Sequence, residues 1–71
     1  MTQKNEPTPI EKFLDTQLGL MHPTDLTDLL VDMYELKDTL KGTPFQNFRK
    51  KYNTGVDLLA KHRGYKVFNH I

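Results

Sequence analysis

Residues 45–55 read FQNFRKKYNTG, three aromatic side chains threaded through three consecutive cations and then a turn-forming Asn-Thr-Gly. Phe45, Phe48 and Tyr52 recur at i, i+3 and i+7, the spacing of one helical face, while Lys50 and Lys51 point away from it and Arg49 flanks it. Rings on one side and cations on the other describe a helix packed on a core rather than an aromatic platform for unpaired bases. Asn53 then reads as a break, and Thr54-Gly55-Val56-Asp57 as the start of a fourth helix. Val56, Leu59 and Ala60 form its buried side and Gly64 its stop.

Working outward, the third helix opens with Thr43-Pro44-Phe45-Gln46: a capping threonine, a proline at the first helical position and a glutamine placed to reach back to the cap. The same device appears at Thr8-Pro9-Ile10-Glu11. Ile10, Phe13, Leu14 and Leu18 follow at helical spacing, which predicts a first helix from about 9 to 18 with Gly19 as a left-handed stop. The two openings lie 35 residues apart, but their match ends at Phe13 and Phe48. Shared capping chemistry explains them better than a solenoid repeat, which needs about three copies.

Between them, Thr24 is placed to cap a second helix, with Asp25 and Asp28 near its positive end. Leu26, Leu29, Leu30, Met33, Leu36 and Leu40 form one stripe, and Asp25, Asp28, Asp32, Glu35 and Asp38 spread over the opposite side. Lys37 and Lys41 lie near its end and Gly42 closes it. The polar residues 1–7 read as a disordered lead-in and residues 8–71 as a single helical domain. The tail YKVFNHI favours extended backbone but is too short for a sheet of its own. Val67, Phe68 and Ile71 are left either to tuck against the helices or to pair with something external.

The expected fold class is therefore all-α, a small bundle of three to four short helices with an extended tail. Its expected core is Ile10, Phe13, Leu14, Leu29, Met33, Leu36, Phe45, Phe48, Tyr52, Val56 and Leu59. A chain of 71 residues buries only about 60% of the surface it exposes when unfolded, so its stability leans on well-made helices or a partner. No disulfide helps, because cysteine is absent. That absence fits a reducing compartment, and no membrane-length apolar run or signal-peptide profile is present, so a cytoplasmic location is expected.

Catalysis is not expected. The sequence has no serine and no cysteine, and no glycine-rich phosphate cradle. His22, His62 and His70 lack metal-ligand spacing, so neither metal nor cofactor nor small-molecule substrate is implied. The informative feature is charge. Residues 1–40 carry three lysines against eight carboxylates, a net of −5, and residues 41–71 carry seven cations against Asp57 alone, a net of +6. Asymmetry of this kind bears on partners.

Two surfaces follow: an acidic face of Asp25, Asp28, Asp32 and Glu35, and a basic face of Arg49, Lys50, Lys51, Lys61, Arg63 and Lys66 if the third and fourth helices lie side by side. The expected function is a non-enzymatic regulatory or adaptor protein that binds another protein, including a copy of itself as a homodimer through the near-heptad seam of the second helix. The alternative is a nucleic-acid-binding regulator using the basic half. Ala60 to Gly64 has the small-residue-to-glycine interval of a helix-turn-helix, but seven residues after Gly64 are too few for a recognition helix.

Overall fold

A computed structural model describes residues 6–71, so most of the lead-in expected over residues 1–7 lies outside the described residues. The regular structure of the described chain is helical: α1 (Pro9–Asp15), α2 (Pro23–Leu36) and α3 (Gly42–Arg63), with single 3₁₀ turns at Leu18–Leu20 and Lys37–Thr39, and the tail after Gly64 forms neither helix nor strand. No helix among the described residues is long and apolar enough to cross a membrane.

The first helix begins as the sequence dictates. Glu11 N–H donates to Thr8 Oγ1 at 3.2 Å while Thr8 N–H donates to Glu11 Oε1 at 2.9 Å, a reciprocal capping box with Pro9 in the first turn. It ends sooner than expected, at Asp15 rather than near Leu18. The Thr16 hydroxyl donates to Lys12 O at 2.6 Å and its N–H to Phe13 O at 3.1 Å, and Thr16 itself is extended. This local alternative to the helical ladder releases the chain into a 3₁₀ turn that delivers Leu18 into the core. Gly19 is not the left-handed stop; the glycines with positive φ are Gly42 and Gly64.

The start of α2 also differs from expectation by two residues. His22, not Thr24, is the cap: its Nδ1 accepts from Thr24 N–H at 3.1 Å, and Pro23 occupies the first helical position. A histidine before proline is easily passed over, yet its ring nitrogen satisfies an orphan amide much as an aspartate oxygen would. At the other end α2 stops at Leu36 and tightens into the 3₁₀ turn Lys37–Thr39, where the Thr39 hydroxyl donates to Leu36 O at 2.7 Å. Gly42, at φ 66°, then turns the chain into α3. The capping box expected at Thr43 does not form, because the helix starts one residue before it, with Lys41 at the cap position and no side-chain cap bond.

The largest correction concerns residues 53–55. The third and fourth expected helices are one continuous helix of 22 residues. Thr54 does not cap anything; its hydroxyl donates back to Lys50 O at 3.0 Å inside the helix. Gly55 is not a boundary but a buried mid-helix position. The end at Gly64 holds, with φ 79° and its N–H donating to Ala60 O at 2.8 Å, and the cations Lys61 and Arg63 in the last turn face the negative end of the dipole.

Helix α3 packs chiefly on α2, and α1 lies against both. The core is Phe13, Leu18, Leu26, Leu30, Met33, Phe48, Tyr52, Val56 and Leu59. Ile10, Leu14, Leu29, Leu36 and Phe45, expected in that core, instead flank it half-buried. The centre of the α2 stripe is thus rotated by about one position, onto Leu26, Leu30 and Met33. Rings run along the α3 face: Phe45 to Phe48 at 6.3 Å between centroids, Phe48 to Tyr52 at 5.9 Å, with Phe13 on Phe48 at 5.6 Å and Tyr34 on Tyr52 at 6.3 Å. Phe48 and Tyr52 are fully buried, so these rings hold the helices together. Burying each large apolar side chain contributes roughly 1.5–3 kcal/mol against leaving it in water.

Candidate protein-docking surfaces

On α2, Asp25, Asp28, Asp32 and Glu35 follow one another at i, i+3, i+7 and i+10, and all four are exposed. This spacing lays them along a single ridge of about 15 Å, at about 1.5 Å per residue. The inward side of the same helix carries Leu26, Leu30 and Met33. Among the described residues the ion pairs are Lys37 with Asp38 at 3.1 Å and His70 with Asp57 at 2.6 Å, so none of the four ridge carboxylates is in an ion pair there. Asp25 is in the first turn, where the dipole favours it. Asp28 and Asp32, one turn apart, repel each other, an arrangement that costs a helix a few tenths of a kcal/mol, while Lys12 of α1 lines a cleft with Asp32 and Glu35.

The cations are arranged differently. Because α3 is one helix, the premise of two adjacent basic helices does not hold. Lys50 and Lys61 share the outward ridge but lie roughly 16 Å apart at about 1.5 Å per residue, with Thr54 and Asp57 exposed between them. Lys51 is half-buried on one flank. Arg49 occupies the other, half-buried, with Nη2 donating to Gln46 Oε1 at 2.9 Å and Nε buried without a protein partner. Arg63, in the last turn, and Lys66, beyond it, are exposed. The six cations therefore sit along and around α3 rather than on a single face.

The seam of α2 is already occupied. Leu26, Leu30 and Met33 are buried against α1 and α3, and Leu29 and Leu36 pack beside them. Self-association through that seam, expected from the near-heptad spacing, would require opening the bundle.

A second feature was not legible as a site. The tail after Gly64 turns back along α3, with Phe68 and Ile71 half-buried against the core while Val67 stays exposed. Ile71 N–H donates to Asn53 Oδ1 at 2.8 Å, and Asn53 Nδ2 donates to Ile71 O at 3.4 Å. His70 Nε2 donates to Asp57 Oδ1. Asn53, read as a helix breaker, is thus a helical residue whose side chain clasps the tail. Beside the tail lies a cleft of about 460 Å³ whose walls include Val31, Tyr34, Glu35, Tyr52 and Phe68. Lys37 Nζ stands 4.7 Å from the centroid of the Tyr34 ring. Burial pushes the Tyr52 hydroxyl above its ordinary pKa of 10.0, with the neighbouring Tyr34 adding to the effect.

Comparison with family models, with curated proteins and with solved structures finds no match to this chain.

Proposed function

We propose that the chain is a non-enzymatic protein-binding module whose α2 ridge docks on a basic surface of another protein. The observation that carries this reading is the pairing state of Asp25, Asp28, Asp32 and Glu35: exposed, on one ridge and in no ion pair among the described residues. Charge left unpaired along a rigid helix raises the association rate with a cationic partner and selects against acidic ones. A second copy, with Lys50, Lys61, Arg63 and Lys66 exposed, is the simplest such partner. The dispersal of cations around α3, with Asp57 among them, supports a phosphate-tracking groove less well than it supports protein contact.

Parallel capture on immobilised wild-type chain and on the Asp28→Lys, Asp32→Lys chain tests the reading. Proteins held by the first, released by salt and absent from the second are the expected result. Equal retention on both contradicts it, and nuclease-sensitive capture that requires Lys50 and Lys51 assigns the chain to nucleic acid instead.

A further inference from the structure

The tail, bent at Phe68, already lies against α2 and α3, and the way it is held defines what else fits there. Asn53 engages the N–H and the C=O of one residue, Ile71. An amide that pairs with both backbone groups of its ligand reads main chain rather than a particular side chain. One turn further along α3, Asp57 receives His70 at 2.6 Å. Phe68 and Ile71, three residues apart, supply the two apolar anchors, packing beside Tyr52 where α2 also brings Tyr34 and Val31 to the cleft. Glu35 and Lys37 line the same cleft, and Asp57 supplies the carboxylate that meets His70.

Little else restrains the tail. Tyr65, Lys66 and Val67 are exposed, and Gly64 is a left-handed hinge. The cleft alongside remains open.

We propose that this groove is a docking site for a segment of a partner protein, carrying two apolar side chains three residues apart with a basic group immediately before the second. The chain's own residues 68–71 are its resident competitor. The inference deepens the protein-binding reading by naming a partner chemistry, and it shares only Glu35 with the acidic ridge. Arginine in the place of His70 offers Asp57 a planar, forked, charged donor, so an arginine-bearing segment displaces the tail more readily than a copy of the tail itself. A tethered competitor acts at an effective concentration on the order of millimolar, so the intact chain binds such a segment only weakly until the tail is released.

The test uses the full chain and a fluorescent peptide of sequence YKVFNRI. Fluorescence anisotropy of the Phe68→Ala, Ile71→Ala chain, whose tail has lost its anchors, is expected to show saturable binding at least tenfold tighter than to wild type, lost on adding Asn53→Leu. No saturable binding up to millimolar chain, with helical circular dichroism intact, overturns the proposal. So does equal affinity for wild type and the tail-released chain, or indifference to Asn53→Leu.

Should the tail variants not fold, amide resonances of the wild-type chain decide. Excess peptide is expected to shift the Asn53 side-chain amide and move Ile71 N–H to an unbound position, and unchanged spectra overturn the site. A concentration-dependent dimer of wild type that the peptide dissociates assigns the groove to the tail of a second copy and overturns a separate partner. The outcomes are separable from those of the ridge: Asp28→Lys, Asp32→Lys changes two residues outside the groove, and so leaves peptide binding in place while removing ridge-dependent capture.

Discussion

Gly55 lies directly beneath Leu30: a methyl group built on Gly55 would stand 2.9 Å from Leu30 Cδ2 and 3.2 Å from Leu18 Cδ1. A glycine at the centre of a 22-residue helix gives up roughly 1 kcal/mol of helix propensity relative to alanine. The return is a close approach of α3 to α2 that admits two leucine side chains. Two effects therefore oppose one another in Gly55→Ala. The propensity gain is about 1 kcal/mol, and overpacking costs about 1–3 kcal/mol. Leu30 is fully buried and has little room to give, so the clash wins. Urea unfolding of Gly55→Ala should show a net loss of about 1 kcal/mol. In a Leu30→Ala background, where the space is vacant, the same substitution should become neutral or stabilising, and this sign change in the double-mutant cycle identifies the contact. Additivity of the two changes would place the cost elsewhere.

Tyr52 gives the chain an alkaline limit. Its hydroxyl holds its proton to higher pH in the folded state than in the unfolded chain, first because it is buried and then because Tyr34 is near. Above the ordinary tyrosine pKa of about 10 the unfolded state binds fewer protons than the native state, so stability falls as pH rises. The contribution is complete below about pH 10 and is lost between there and the folded pKa. Wild type minus Tyr52→Phe, compared by urea midpoint from pH 8 to 11.5, should be flat up to about pH 10 and then decline. A flat difference throughout would mean that the hydroxyl reaches water.

The cap of α2 depends on an unprotonated ring nitrogen. His22 Nδ1 accepts from Thr24 N–H, which requires the ring proton to sit on Nε2. His22→Ala should cost about 0.5–1 kcal/mol, and His22→Asp should restore most of it, because aspartate is a strong cap. Thr24→Ala should be nearly silent in the same assay, since Thr24 contributes its backbone N–H and not its hydroxyl to the cap. A larger loss at Thr24 than at His22 would return the cap to the threonine.

Much of this arrangement was legible in the sequence, and the misreadings share a physical origin. The Thr8–Glu11 capping box, the inward rings of Phe48 and Tyr52 and the acidic side of α2 follow from local rules, and tertiary packing left them unchanged. Gly55 misled because glycine is common at helix ends, and only the approach of Leu18 and Leu30 from distant parts of the chain shows why it is needed mid-helix. Asn53 misled for a related reason: its partner, Ile71, is 18 residues away. At Thr24 and Thr43 a favourable capping residue was present but the helix began elsewhere, since proline and glycine neighbours set the start.

Of the candidate site, the acidic ridge could be read from periodicity, but the scattering of the cations could not, because it depended on whether one helix or two spans residues 42–63. The tail groove had no local signature. Its closest signal was the pair of apolar residues Phe68 and Ile71 beyond a helix-ending glycine.

The ridge offers a test that needs no partner. If Asp28 serves contact rather than folding, replacing it removes repulsion with Asp25 and Asp32 without removing any bond of the native state, and lysine adds attraction to both neighbours. Urea unfolding of Asp28→Lys at low salt should show stability unchanged or raised by a few tenths of a kcal/mol, with the gain screened by added salt. A loss of about 1 kcal/mol or more would contradict the account, because it would show that the ridge carboxylate is engaged in holding the bundle together.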